Sequence, residues 1–254
     1  MTPPSPVDPE APRTLAREAT PRGDIALRVR DRRGGGTAYE LIVGGVFAMD
    51  STDVSTEVEL ARVALGACAR PRRVLVGGLG LGHTAGAVLD DDGVERVVVA
   101  ELEAPLVEWA QQALVPSLTR VTGDPRVRLE IGDIAGLLAD AEREFDVILL
   151  DVDNGPSFLV HEQNARLYAV PSLATTIDRL APDGVLAIWA AQEEPDLVQR
   201  MSRLAATRGD LAVSTSRHRV EREGRAFDYA IHLLRRDPQL RRLAGRGRSA
   251  RDGR

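Results

Sequence analysis

The sequence predicts an α/β fold: a mostly parallel seven-stranded sheet that ends in an antiparallel hairpin and follows a small N-terminal β element. Three observations carry this expectation. From Arg72 onwards, strand-length apolar runs at about 73–77, 96–101, 127–131, 145–151 and 184–190 alternate with helical or loop segments, the pattern of βαβ units in a parallel sheet. The runs at about 210–218 and 227–235 are separated only by Glu221–Arg225 and form a hairpin. Several of the earlier runs end in glycine or an acid, and parallel sheets bind ligands at the carboxyl ends of their strands.

In chain order, residues 1–20 are rich in proline and polar groups and are expected to be disordered. A small β-hairpin element occupies 21–52, where Tyr39–Val43 and Val46–Met49 flank the two-residue turn Gly44-Gly45. Thr52 to Cys68 reads as a helix capped by Ser51 or Thr52, with Val58, Leu60, Val63 and Leu65 facing the core. The main domain spans 53–236, and the Arg/Gly-rich tail 237–254 is expected to be disordered. This outline is that of a Rossmann-like, class I methyltransferase fold.

Composition narrows the function classes. The formal charge of −5 disfavours nucleic acid and suits a cationic substrate. The chain has no lysine, so all 33 basic residues are arginine and Schiff-base chemistry is excluded. A single cysteine, Cys68, in an apolar neighbourhood excludes an internal disulfide and reads as a buried small residue. The four histidines are scattered without metal-ligand spacing, so no metal is expected. No stretch approaches the about 18 apolar residues of a membrane span, and the proline-rich, acidic start is unlike a signal peptide; a cytoplasmic protein is expected.

The chemistry-bearing residues cluster at the strand ends. Gly78, Gly80 and Gly82 after the first main strand let the backbone turn tightly and let a flat ligand lie against it. Glu101 closes the next strand, and its two carboxylate oxygens can accept from two adjacent ribose hydroxyls; the other reading is an exposed strand-end acid. Leu102 follows it in the same cofactor site, and Glu103 is expected to face solvent or cap a helix. Asp133 ends the third strand, where an acid can accept the adenine amine with Ile134 against the ring, or can cap the helix from Ile134. Asp151 and Asp153 emerge from the fourth strand. They are placed to hold a cationic amine and take its proton, a step that costs about 4 kcal/mol at neutral pH for an alkylamine, or else they form turns in an Asp/Asn/Gly/Pro loop. Trp109 and Trp189 are expected in the core or a subunit contact.

With these residues assembled, the chain resembles the spermidine synthase (polyamine aminopropyltransferase) family over roughly residues 38–235. The resemblance rests on Gly44–Asp50, the Gly77–Gly82 loop, Val99–Glu103, Asp124–Val127 with Gly132-Asp133, Asp146–Asp151, and Ala181–Gly184 before Ala191-Gln192. It implies that Glu101 binds ribose, Asp133 binds adenine, and Asp151 takes the acceptor's proton. It also implies S-adenosylmethionine or its decarboxylated form as co-substrate, a small amine as acceptor, no metal and a homodimer. Three passages depart from the family. Its glycine-loop Asp, which meets the donor's aminopropyl amine, is absent from Gly-Gly-Leu-Gly-Leu-Gly; Ser55-Thr56-Glu57 stands for Tyr-His-Glu; and Asp-Ser-x-Asp-Pro is shortened to Asp151–Pro156. An S-adenosylmethionine-dependent methyltransferase and a non-catalytic nucleoside-binding module are the alternatives, with a nicotinamide-linked oxidoreductase behind them.

Overall fold

The computed structural model describes residues 11–32, 35–139, 144–222, 224–237 and 239–240. The N-terminal sheet runs β1 (Arg13–Thr20), β2 (Gly23–Asp31), β3 (Thr37–Val43) and β4 (Val46–Asp50) in that order, all antiparallel. Then follow α1 (Ser55–Ala67), β5 (Arg73–Gly77), α2 (His83–Val88), β6 (Arg96–Glu101), α3 (Ala104–Gln111), α4 (Pro116–Gly123) and β7 (Val127–Ile131). The chain continues through α5 (Ile134–Ala139), β8 (Phe145–Leu150), a 3-10 helix (Glu162–Tyr168), α6 (Val170–Asp178), β9 (Leu180–Ala190), α7 (Pro195–Arg208), β10 (Leu211–Arg222) and β11 (Arg225–Arg236).

The main sheet has seven strands in the order β10-β11-β9-β8-β5-β6-β7, parallel from β9 to β7 and closed by the antiparallel β10–β11 hairpin. Its central strands are buried on both faces. Val74, Val76, Val147 and Leu149 face one apolar layer with α1 to α4, and Leu75, Ile148 and Leu150 face another with α5 to α7. That two-sided burial is why these strands read as unbroken apolar runs. The N-terminal sheet inserts Ile25, Leu27 and Leu41 into the first layer and so lies over the C-terminal ends of the parallel strands.

Several expectations need correction. Part of the segment expected to be disordered is strand: Arg13–Thr20 forms β1, while residues 1–10 lie outside the described residues. Its side chains are almost all exposed, so it shows no apolar alternation, and its place is set by pairing with β2 from Arg13 opposite Val29 to Thr20 opposite Gly23. The small β element is accordingly a four-stranded sheet reaching from Arg13 to Asp50 rather than a hairpin in 21–52. The tail from 241 lies outside the described residues.

Helix α1 begins at Ser55, with Val54 at its N-cap and no side-chain cap bond, so neither Ser51 nor Thr52 caps it. Asp53 instead accepts the Ser55 amide at 3.0 Å. Its buried face is Thr56, Glu57, Leu60, Ala61, Ala64 and Leu65, leaving Val58 42% exposed. The small alanines let the helix approach its neighbours closely, and this rotates the inward stripe away from the bulkier Val58. Cys68 is half-buried, with burial raising its thiol above the usual range.

Candidate active site

Strand β5 pairs with β6 on one side and β8 on the other, so the chain reverses its order of strand addition at β5. Clefts of open α/β sheets form at such points. The glycine loop leaves β5 and crosses the end of β8 at very close range. A Cβ on Gly78 would stand 2.1 Å from the Asp151 carbonyl oxygen, and Gly78 has φ of +93°, so only glycine fits. Gly78 N donates to Ala100 O and Asp151 N donates to Gly77 O, both at 2.9 Å, which fixes the three strand ends together.

Gly80 has φ of +49°, and a Cβ there would lie 2.7 Å from Met49 Sδ. The Met49 thioether also sits 3.3 Å from Leu81 N, so β4 covers the loop with a sulfur where an acidic side chain would otherwise project. Gly82 does not line the cleft. It caps α2 in a left-handed conformation, and a Cβ there would crowd Leu118 and Val121 of α4 at 3.2 and 3.3 Å; its role is packing, which corrects the expectation of ligand contact.

Glu101 closes β6 and is buried, as its place in an apolar strand predicts. Its Oε2 accepts Leu79 N and its Oε1 accepts Glu103 N, each at 2.8 Å. Burial holds this carboxyl above the usual carboxylate range, and the two amides offset only part of that rise. Each oxygen keeps a further lone pair, enough for two vicinal hydroxyls. Glu103 does not face solvent: it occupies the N-cap position of α3, where its carbonyl accepts Leu106 N at 3.0 Å, while its buried side chain makes no cap bond and pairs with Arg22 Nε at 2.6 Å. Arg22 also donates to Leu102 O at 2.6 Å, and His161 Nε2 stands 3.7 Å from Glu103. The partner comes from the turn between β1 and β2, 81 residues earlier, which nothing around Glu103 reveals.

Asp133 follows β7 and Gly132. Its Oδ1 accepts Ala135 N at 2.8 Å, in keeping with the helix-capping reading, and its Oδ2 accepts from Arg166 of the 3-10 helix. Ile134 is buried beside it, with Cδ1 at the β5 turn, 2.4 Å from where a Cβ on Gly77 would be.

Asp151 follows β8. Thr84 Oγ1 donates to its Oδ2 at 2.6 Å. Desolvation first, and the nearby Glu57 second, push the Asp151 carboxyl up to about 7 against the pull of that hydroxyl. Glu57 comes from the buried face of α1, where the Thr56 hydroxyl donates to it at 2.6 Å. Asp153 takes a different part. Its Oδ1 accepts Val160 N at 2.8 Å and His161 N at 3.4 Å, shaping the loop that leads to the 3-10 helix, and burial raises its carboxyl. Trp109 is in the core, whereas Trp189, at the end of β9, borders the cleft and packs on Tyr229 with ring centroids 5.5 Å apart.

Glu101, Asp133 and Asp151 therefore open into one cleft, together with Gly78, Gly80, Leu102, Ile134 and Asp153. Sequence reasoning missed Thr84 and Met49. A threonine two residues past a glycine loop and a methionine in a hairpin carry no local sign of what they will touch. The described lining holds six carboxylates, from Glu57, Glu101, Glu103, Asp133, Asp151 and Asp153, and two histidines, but no arginine. His83 is one of the two, and burial lowers its imidazole below the usual range. Among the described residues no helix is long and apolar enough to cross a membrane.

Fold and cleft define a protein of Rossmann-like, methyltransferase-type fold with an acid-lined cleft at the ends of its parallel strands. Comparison with known proteins sharpens this: the spermine/spermidine synthase domain matches residues 54–215, and the chain belongs to that family. It is 29% identical over 160 residues to the polyamine aminopropyltransferase of Thermotoga maritima, covering 60% of this chain and 52% of that protein. It is 37% identical over 112 residues to polyamine aminopropyltransferase 1 of Aquifex aeolicus, covering 44% and 40%. The chain thus spans about half the length of the curated relatives it matches. A spermidine synthase crystallised with the transition-state analogue AdoDATO superposes with a TM-score of 0.69 at 21% identity, over 86% of this chain and 73% of that one. The likeness to that structure establishes the fold.

Proposed function

We propose that the protein transfers an aminopropyl group from decarboxylated S-adenosylmethionine to a small amine. The observation that carries the reading is the cleft's charge: six carboxylates and no arginine among its described residues, in a chain with 33 basic residues. A carboxylate-bearing donor tail would meet no cation there, whereas an ammonium tail and an ammonium acceptor both suit it. The aminopropyltransferase relatives and the neighbour that holds a transition-state analogue support the same reading.

In this reading Glu101 receives the two ribose hydroxyls, Asp133 receives the adenine amine with Ile134 against the ring, and Leu102 borders the nucleoside. The glycine loop at Gly78 and Gly80 gives the sulfonium end a wall without side chains. Asp151 orients the acceptor ammonium and takes one of its protons. The freed nitrogen lone pair then forms a C–N bond to the propyl carbon as the C–S bond breaks and its electrons return to sulfur. A carboxyl held near 7 suits that task, because it is ionised in an appreciable fraction of molecules yet basic enough to accept. Asp153 acts through the loop it shapes, and two copies of the chain form the working unit.

One observation favours a second reading. Gly80 and Met49 leave no acid beside the donor tail, which suits an S-adenosylmethionine-dependent methyltransferase better than it suits an ammonium tail. Calorimetric titration with both donors, followed by mass spectrometry of an amine panel, decides between them. Preference for the decarboxylated donor with a 57-dalton gain on the amine (the aminopropyl group, ~C3H7N) supports our proposal. Preference for the carboxylated donor overturns it, and donor binding without turnover on any amine points to a binding module. Light scattering tests the dimer.

A further inference from the structure

Arg166 sits on the 3-10 helix Glu162–Tyr168, which ends the loop that begins at Asp151. The flanking Leu167 and Tyr168 are buried and hold the backbone, while the Arg166 side chain is half-exposed and reaches across to Oδ2 of Asp133 on the far side of β8. Asp133 is thereby gripped at both oxygens, by Ala135 N on Oδ1 and by the guanidinium on Oδ2. A carboxyl held at one oxygen still swings about its Cβ–Cγ bond; held at both, it does not, and its remaining lone pairs keep a fixed direction. Arg166 is not among the cleft-lining residues, so it acts from behind the carboxylate.

We propose that Arg166 is a positioning residue that makes the base subsite selective for a 6-amino over a 6-oxo purine, by locking the Asp133 carboxylate in line with the purine edge. The inference rests on the adenosyl-donor reading above. A fixed carboxylate offers only acceptors, so it pairs with the amine of adenine and repels the carbonyl of hypoxanthine; a loose one can turn aside and tolerate either. The bridge also ties the base subsite to the loop carrying Asp153, so the same arginine joins donor recognition to the acceptor side.

The test is calorimetric titration of the full chain with 5′-methylthioadenosine and 5′-methylthioinosine, for the native protein and for R166A, R166Q and R166K, with thermal unfolding of each. The native protein is expected to prefer the adenine nucleoside by at least about 100-fold. R166A and R166Q are expected to lose about tenfold or more of that ratio, chiefly through tighter relative binding of the inosine form, and R166K to recover part of it through its single point contact. Native-like selectivity in R166A and R166Q overturns the proposal, even if their melting temperatures fall, because the bridge would then be structural only. Should the native protein bind neither nucleoside, the donor reading itself fails, a result distinct from unchanged selectivity.

Discussion

Replacing Asp151 by asparagine separates the electrostatic cost of this carboxyl from its use. The amide has the same shape and can still accept the Thr84 hydroxyl now donated at 2.6 Å, so the substitution removes a charge and little else. Burial and Glu57 hold the native carboxyl at about 7, against 3.8 for an unperturbed aspartate. Between those two values the folded chain keeps a proton that the unfolded chain has released. The proton-linked stabilisation is complete below pH 3.8 and is lost as pH rises through 7. The slope is about 1.4 kcal/mol per pH unit, and the whole shift is worth up to about 4 kcal/mol, or about half that if water reaches the open side of the carboxyl.

Urea unfolding of the native protein and D151N at half-unit steps from pH 4 to 9 measures the difference. D151N is expected to gain on the native protein steadily from pH 4 to 7 and to hold a constant lead of about 2–4 kcal/mol above that. Part of the lead comes from Glu57, which loses a like-charged neighbour. On the proposed function, the native protein's log kcat/KM should rise with unit slope to a plateau above pH 7, and D151N should retain donor binding while losing turnover by at least about 100-fold. Parallel stability curves for the two proteins across the whole range would refute the reasoning, because the carboxyl would then titrate alike folded and unfolded.

Three further outcomes follow from the geometry. The double variant G80D/M49A puts an acid into the glycine loop and removes the sulfur that a side chain there would strike, and should tighten binding of the decarboxylated donor by about 10- to 100-fold in titration calorimetry without helping the carboxylated one. E101Q turns one of the two oxygens that accept Leu79 N and Glu103 N into a donor facing a donor, and should weaken methylthioadenosine binding by about 100-fold, more than it weakens free adenine. R22A leaves Glu103 buried without its guanidinium and should cost about 2–3 kcal/mol in urea unfolding, with earlier proteolysis between Asp50 and Ser55 as the N-terminal sheet loosens.

The parallel strands were legible because burial on both faces makes each a continuous apolar run: the predicted spans 73–77, 96–101 and 127–131 coincide with β5, β6 and β7. The same physics hid β1, whose side chains are exposed and whose position depends on β2 alone. Strand-end acids were legible for a related reason, since Glu101 and Asp151 each interrupt an apolar run at its C-terminal end. What surrounds them was not. The Arg22–Glu103, Arg166–Asp133 and Met49–Leu81 contacts span 81, 33 and 32 residues and arise only once the N-terminal sheet and the 3-10 segment fold over the strand ends. The N-cap place of Glu103 was legible, but its burial was not: a surface acid and an acid buried by a distant arginine have the same local sequence.

The cleft sorts its acids by what stands behind them. Glu103 is backed by Arg22 and Asp133 by Arg166, while Glu101 is held by two backbone amides. Asp151 is held by a hydroxyl, with another carboxylate nearby. A guanidinium or an amide favours the charged form, partly offsetting burial at Glu101, and on the proposed function this suits a group that accepts from ribose or adenine. The same support behind Asp151 would lower its affinity for a proton and, if a guanidinium, repel the incoming ammonium. A threonine hydroxyl orients the carboxyl without supplying charge, and Glu57 raises its basicity while adding to the attraction for a cation. On the proposed function, the binding acids and the proton acceptor are thus the same functional group made different by their partners. The negative charge gathered around Asp151 lowers the protein's own stability, a cost that binding of the proposed cationic substrate would offset.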